Sequence, residues 1–152
     1  MLYTVDGISI LAKPRPGDWL EDDVARLARA GVRVLVSLLT DDEVRETGLA
    51  AEPACARDAG LEFPRAPIPD RQAPGADFSA SVLPVLVGHH RASRHVAVHC
   101  RFGIGRSATV AAGVLVACGG DPADVWARLA VARGVSVPDV DAQRHWVESL
   151  IT

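Results

Sequence analysis

Two side chains set the chemical question in this 152-residue chain. Cys100 and Arg106 bracket five residues, two of them glycines, within HVAVHCRFGIGRSATV at 95–110. A loop this tight can turn its backbone N–H groups inward, because glycine permits the positive φ angles and close approach required. The helix expected from about Gly105 aims the positive end of its dipole at the same point. The outcome is a cradle for a tetrahedral dianion. Arg106 adds a planar fork that can hold two oxygens of such an anion at once. Thiols at helix N-termini favour the thiolate, which is the nucleophilic form. One loop would therefore hold a phosphate-like group and attack it.

Two competing readings of this stretch are weaker. GIGRSA at 103–108 matches the G-x-G-x-x-A pattern of a dinucleotide site, and it follows a strand and opens a helix. That fingerprint calls for a further strand ending in an acid about 20 residues on, and here GGDPADVW starts another helix instead. The G-x-x-x-x-G-K-[ST] pattern is excluded too, since no lysine follows Lys13. The other reading is that Cys100 merely packs, as cysteines at strand ends commonly do. Packing accounts well for Cys118 and Cys55, but not for the glycines and arginine that follow Cys100.

The elements that must position these groups are legible from periodicity. Asp6-Gly7 divides the alternating stretch 2–12 as a hairpin turn. DWLEDDVARLARAG has Leu20, Val24 and Leu27 at helical spacing and stops at Gly31. The runs at 32–39 and 95–99 are apolar and β-branched, which predicts strands covered on both faces. DDEVRETG and AAEPACARDAG read as short helices, and LEFPRAPI as an extended segment leading into the loop PIPDRQAPGAD. FSASVLPVLVGHHRAS reads as a helix bent at Pro84, with His89 and His90 on its surface. GRSATVAAGVLVACGG, DPADVWARLAVARG and VDAQRHWVESL complete the helices. Trp19, Trp126 and Trp146 are expected as core anchors. Strands alternating with helices imply one α/β domain over 1–152, with a central, mainly parallel twisted sheet of about four or five strands and helices on both faces. Ligands of such sheets bind at the carboxyl ends of the strands, where Cys100 falls.

Composition narrows the function classes. Apolar residues make up 49% and charged residues 23%, as in ordinary globular proteins. With 16 basic and 19 acidic residues, a net charge of −3 and no basic block, neither nucleic acid nor an anionic membrane is the expected partner. No signal-peptide pattern and no membrane-spanning run appears, so a cytoplasmic protein is expected. Three cysteines without metal-ligand spacing argue for a reactive thiol over a disulfide framework or a zinc site.

HCRFGIGRS resembles the H-C-x-x-G-x-x-R-[ST] signature of cysteine-based protein tyrosine and dual-specificity phosphatases, through His99, Cys100, Gly103, Arg106 and Ser107. GDWLEDDVARLARAGVRVLVSLLTDDE is similar to the N-terminal half of compact bacterial enzymes of dual-specificity type, and PIPDRQAP resembles their general-acid loop. The resemblance spans nearly the whole chain, residues 1–15 and the last few being least constrained. It implies phosphomonoester hydrolysis through a phosphocysteine on Cys100, with residues 101–106 (Arg101, Phe102, Gly103, Ile104, Gly105 and Arg106) binding phosphate. It also implies Asp70 as general acid and then base, and Ser107 as the hydrogen-bond donor to the departing thiolate. His99 would support the loop, and Gln143 matches, loosely, a glutamine that helps position the hydrolytic water in some relatives. Neither metal nor cofactor is implied. Relatives acting on phosphoinositides tend to carry lysines in the loop, whereas this loop offers only Arg101 beyond Arg106. A phosphorylated protein or peptide, mainly on tyrosine, is the expected substrate, and the chain is expected to act as a monomer. The alternatives are a rhodanese-type sulfurtransferase and a non-catalytic phosphopeptide-binding module.

Overall fold

The computed structural model describes residues 1–151; Thr152, the last residue of the domain read from sequence, lies outside the described residues. Strands β1 (Tyr3–Val5), β2 (Ile8–Ala12), β3 (Val34–Ser37) and β4 (Val96–Cys100) form one sheet in the order β1-β2-β4-β3. β1 and β2 are antiparallel, joined at Asp6 (φ 49°) and Gly7 (φ 85°), the left-handed pair that a two-residue hairpin needs. β2 and β3 flank β4 in parallel, with Ala12 beside Cys100 and Ser37 beside His99. The segment after residue 60 runs alongside β3, bridging Val34 to Glu62 and Ser37 to Arg65. Backbone bonds Ala66 N–H to Ser37 O (2.9 Å) and Ile68 N–H to Leu38 O (3.0 Å) continue it. The sheet thus has four strands and a fifth strand-like edge that leads to Asp70.

Helices cover both faces, as the apolar strand runs require. Helices α1 (Leu20–Arg29) and α3 (Glu52–Asp58) close one face over Leu11, Leu35 and Ala97. The short α2 (Asp41–Thr47) leads from β3 toward α3. Helices α4 (Leu83–Arg91), α5 (Arg106–Ala117), α6 (Pro122–Arg133) and α7 (Asp141–Ser149) build the other face over Ile8, Ile10, Val96 and Val98. Every residue of α5 from Arg106 to Val116 is buried, matching its lack of a polar stripe. No helix among the described residues is long and apolar enough to cross a membrane.

Three sequence expectations change in detail. The bend at Pro84 takes the form of a π turn, Phe78–Val82, with Leu83 N–H bonded to Phe78 O. Proline has no N–H to give to the carbonyl four residues back, so the turn widens before it. Trp19 is not a core anchor: it is 58% exposed in a 3-10 turn (Gly17–Trp19), with the Arg15 guanidinium 4.5 Å above its ring. Trp126 is buried, and Trp146 packs edge-on to Phe78 at 6.0 Å. His89 is tucked in rather than on a free surface, with Nε2 3.3 Å from Glu62 Oε2.

A capping motif at the exit of β3 fixes the position of Glu43. Thr40 caps α2 in a reciprocal box: Glu43 N–H donates to Thr40 Oγ1 (3.3 Å) and Thr40 N–H to Glu43 Oε1 (3.2 Å). Thr40→Ala should cost about 1 kcal/mol, or about 3 °C in Tm for a chain of this size, read by thermal melting.

Candidate active site

The phosphate-like cradle lies between two fully buried elements. β4, the strand between β2 and β3, delivers Cys100 at 3% exposure, and α5 starts at Arg106. Gly103 sits at φ 73°, and a Cβ there would lie 2.6 Å from Leu11 C and Ala12 N. The loop therefore needs glycine twice over, for its left-handed backbone and for its approach to β2. Gly105 faces Asp139, whose Cγ would be 2.9 Å from an added Cβ.

The loop's carbonyls are held from outside. Lys13 N–H donates to Arg101 O (3.3 Å), and Arg133 donates through Nη2 to Phe102 O (3.1 Å) and through Nε to Gly103 O (3.0 Å). Capturing these carbonyls leaves the loop's N–H groups to face the opposite side. Gly103 N–H points to Cys100 Sγ at 3.3 Å, and Ser107 Oγ lies 3.3 Å from the same sulfur. Thr109 Oγ1 donates to Gly105 O (2.8 Å) and secures the helix start. His99 is fully buried below the loop, with Nε2 2.7 Å from Glu52 Oε2 and Nδ1 3.2 Å from Cys100 O.

Arg106 is 2% exposed and paired end-on with Glu43. Its Nη1 donates to Glu43 Oε1 (2.6 Å) and to Ile68 O (2.9 Å), and its Nη2 donates to Glu43 Oε2 (2.8 Å). A guanidinium has five N–H donors. Nε–H and the second Nη2–H keep no hydrogen-bond partner among the described residues, and these two adjacent donors suit two phosphate oxygens. Burial works against the Arg106 charge, but the Glu43 carboxylate more than offsets it and raises the pKa above the ordinary value; Cys100 and Asp70 add to this. Burial likewise opposes the Glu43 charge, yet the bonds from Arg106 and Thr40 hold its carboxyl below the usual range.

Asp70 is 60% exposed at the tip of the 62–68 edge, with Oδ1 3.5 Å from Arg106 Nη2. Asp70, Arg106, Cys100 and Ser107 thus meet at one place, at the carboxyl ends of the parallel strands. Arg101 leans outward to Glu46 (3.3 Å), and Phe102 is 65% exposed. Ile104 packs partly into the core beneath the loop. Gln143 is fully buried: its Nε2 donates to Gln72 O (3.3 Å), and its Oε1 accepts from Asp139 N–H (3.2 Å). Its amide therefore ties the Asp70 loop to the 139 loop. Sequence reasoning missed Glu43, Glu52, Arg133 and Asp139. Only Glu43 carried a signal, as the third residue after a capping threonine; the others reach the loop from remote positions.

Glu43→Gln should lower stability by about 3 kcal/mol, because it leaves a buried guanidinium uncompensated, and it should raise KM for a phosphate ester. Glu43 titrates lower in the folded protein than in the unfolded chain, so its contribution is complete above about pH 4.3. It is lost as pH falls through the folded value, and denaturant midpoints between about pH 3 and 7 should show that loss in wild type and not in Glu43→Gln. Gly103→Ala should cost about 2–3 kcal/mol and most of the activity, read by urea unfolding and turnover.

Comparison with known proteins bears on the family and on the fold. A family model, Tc-R-P (polymorphic toxin system, DSP-PTPase phosphatase), matches residues 11–120. No curated protein sequence matches. Among solved structures, kinase associated phosphatase carrying a serine for its catalytic-site cysteine is similar, with 18% identity, TM-score 0.81, and 95% of this chain and 88% of that one covered. Tk-PTP in its active form gives 24% identity, TM-score 0.78, and coverage of 98% and 95%. PTPMT1 in complex with PI(5)P gives 18% identity, TM-score 0.75, and coverage of 97% and 94%. These structures share the fold, and the family match covers the end of β2, all of β3 and β4, the loop and α5. The chain belongs to the Tc-R-P family of DSP-PTPase phosphatases of polymorphic toxin systems.

Proposed function

We propose that the chain hydrolyses phosphotyrosine, and also phosphoserine or phosphothreonine, in proteins, through a phosphocysteine on Cys100. One observation carries this reading: the sulfur, the Ser107 hydroxyl, the free side of Arg106 and the Asp70 carboxyl converge on one cradle. The Cys100 thiolate attacks phosphorus while Arg106 Nε and Nη2 and the loop N–H groups hold the three equatorial oxygens. The P–O ester bond breaks, and the leaving phenolate or alkoxide takes the proton of Asp70. Water then attacks the phosphocysteine, ionised Asp70 takes its proton, and phosphate departs as the S–P bond breaks. Ser107 Oγ–H donates to the sulfur that regains its charge. Phe102, exposed beside the loop, supports an aryl ester, since its ring can lie against a phenol ring. The single extra cation in the loop, Arg101, supports a protein substrate over a polyanionic headgroup. The neighbour solved with PI(5)P makes the lipid the comparison to run. A cytoplasmic, monomeric enzyme acting on a phosphorylated protein or peptide fits this reading.

With chelator present, wild type should hydrolyse para-nitrophenyl phosphate and Cys100→Ser should show none of that activity. Asp70→Asn should lower kcat by about 10²–10⁴-fold with a much smaller change in KM. A phosphotyrosine peptide should be turned over faster than PI(5)P; the reverse order would overturn the protein-substrate reading.

A further inference from the structure

A cavity of about 730 Å³ lies behind the phosphate loop, within the size range of small-ligand sites. Its walls come from the start of β1, the exit of β2, the face of α1 and the end of α6. Tyr3, Leu11 and Leu27 make an apolar floor, and Lys13, Arg15, Arg26 and Arg133 stand round it. Its single carboxylate, Asp23, is committed: Oδ1 accepts from Arg15 Nη2 (2.7 Å), and Oδ2 accepts from Arg15 Nε (3.0 Å) and N–H (2.9 Å). Among the described residues the Lys13 ammonium has no hydrogen-bond or ion-pair partner, and the Arg26 guanidinium makes no hydrogen bond, its charge acting at longer range on the Asp23 carboxylate that Arg15 already holds. Cations that converge from separate elements on an apolar, ligand-sized hollow suit an anion with an apolar body.

Two of the residues that line the cavity also touch the catalytic loop. The Arg133 guanidinium lies 4.4 Å over the Tyr3 ring, and the same group donates to the Phe102 and Gly103 carbonyls. Lys13 N–H holds the Arg101 carbonyl. We propose that this cavity is a second, non-catalytic binding site for a small organic anion with an aromatic or aliphatic body, and that occupancy is felt by the phosphate loop through Arg133. An anion in the cavity competes with the two carbonyls for that guanidinium. The loop then loses the restraint that turns its N–H groups inward, and substrate phosphate binds less well. The ligand site stands apart from the catalytic reading, because binding is measured without turnover.

The probe is anilinonaphthalene sulfonate, followed by fluorescence and by isothermal titration. Wild type should bind one equivalent. Lys13→Met and Arg26→Glu, each confirmed as folded by thermal melting, should each weaken binding by about tenfold, equal to about 1.4 kcal/mol. Arg106→Met should keep the binding. Loss of binding in Arg106→Met with retention in Lys13→Met and Arg26→Glu would place the probe in the catalytic loop and overturn the proposal. Without probe, Arg26→Glu should hydrolyse para-nitrophenyl phosphate within about twofold of wild type, as for other surface changes. Probe should raise KM several-fold in wild type, and Arg26→Glu should need about ten times as much probe for the same rise, matching its weaker binding. Bound probe with KM and kcat unchanged in wild type would overturn the link to the loop.

Discussion

A guanidinium held at 2% exposure carries its charge out of water at a cost that something must offset, and Glu43 does so here. The pairing is end-on, which leaves the side-on edge of Arg106 facing the cradle, with Asp70 Oδ1 3.5 Å from Nη2. It also decides where α2 must start, because Glu43 is at once the third residue of that helix and the acceptor for the Thr40 N–H. Moving α2 by one residue would turn the carboxylate away from Arg106. The Arg106 fork, the helix cap and the exit of β3 are therefore one mechanical unit. A buried pair of this kind need not add net stability compared with apolar residues. Its value is orientation: it presents two of five donors to the cradle and commits the rest.

The same constraint governs the loop. Backbone amides can face an anion only if their carbonyls are satisfied elsewhere. Lys13 and Arg133 satisfy three consecutive carbonyls from outside. Gly103 allows the chain to lie flat against β2, and the buried α5 holds the far end. Cys100, the proposed nucleophile, needs no motion of its own, since it is the last residue of a strand bonded on both sides. Asp70 stands in contrast. It rides on an exposed turn at the end of an edge segment and is linked to the rest through Gln72 and Gln143. A rigid cradle facing a less constrained acid suits the proposed reaction, in which the Asp70 carboxyl would serve two successive steps.

Much of this was readable from the chain as a string. The hairpin at Asp6-Gly7, the amphipathic α1, the buried strands and the apolar α5 follow from local periodicity and turn chemistry, which act over a few residues. Trp19 failed as a core residue because the exposure of a large aromatic depends on what packs against it, and its neighbour is the Arg15 guanidinium. Glu52, Arg133 and Asp139 could not be found because they reach the loop from 47, 30 and 34 positions away in sequence. No local pattern distinguishes them from other charged residues on short helices and loops.

The covalent string alone settled the chemistry that is possible: a thiol, a fork and glycines at spacings that permit a tight anion loop, since those properties belong to residue types and short-range backbone sterics. It settled the α/β order for the same reason, through side-chain periods of about 2.0 and 3.6. Which edge of Arg106 faces the cradle, which acids lie beneath it, and which cation restrains the loop's carbonyls were decided by folding. Those are distances between groups far apart in the chain, fixed when β4 is inserted between β2 and β3 and the helices close over both faces.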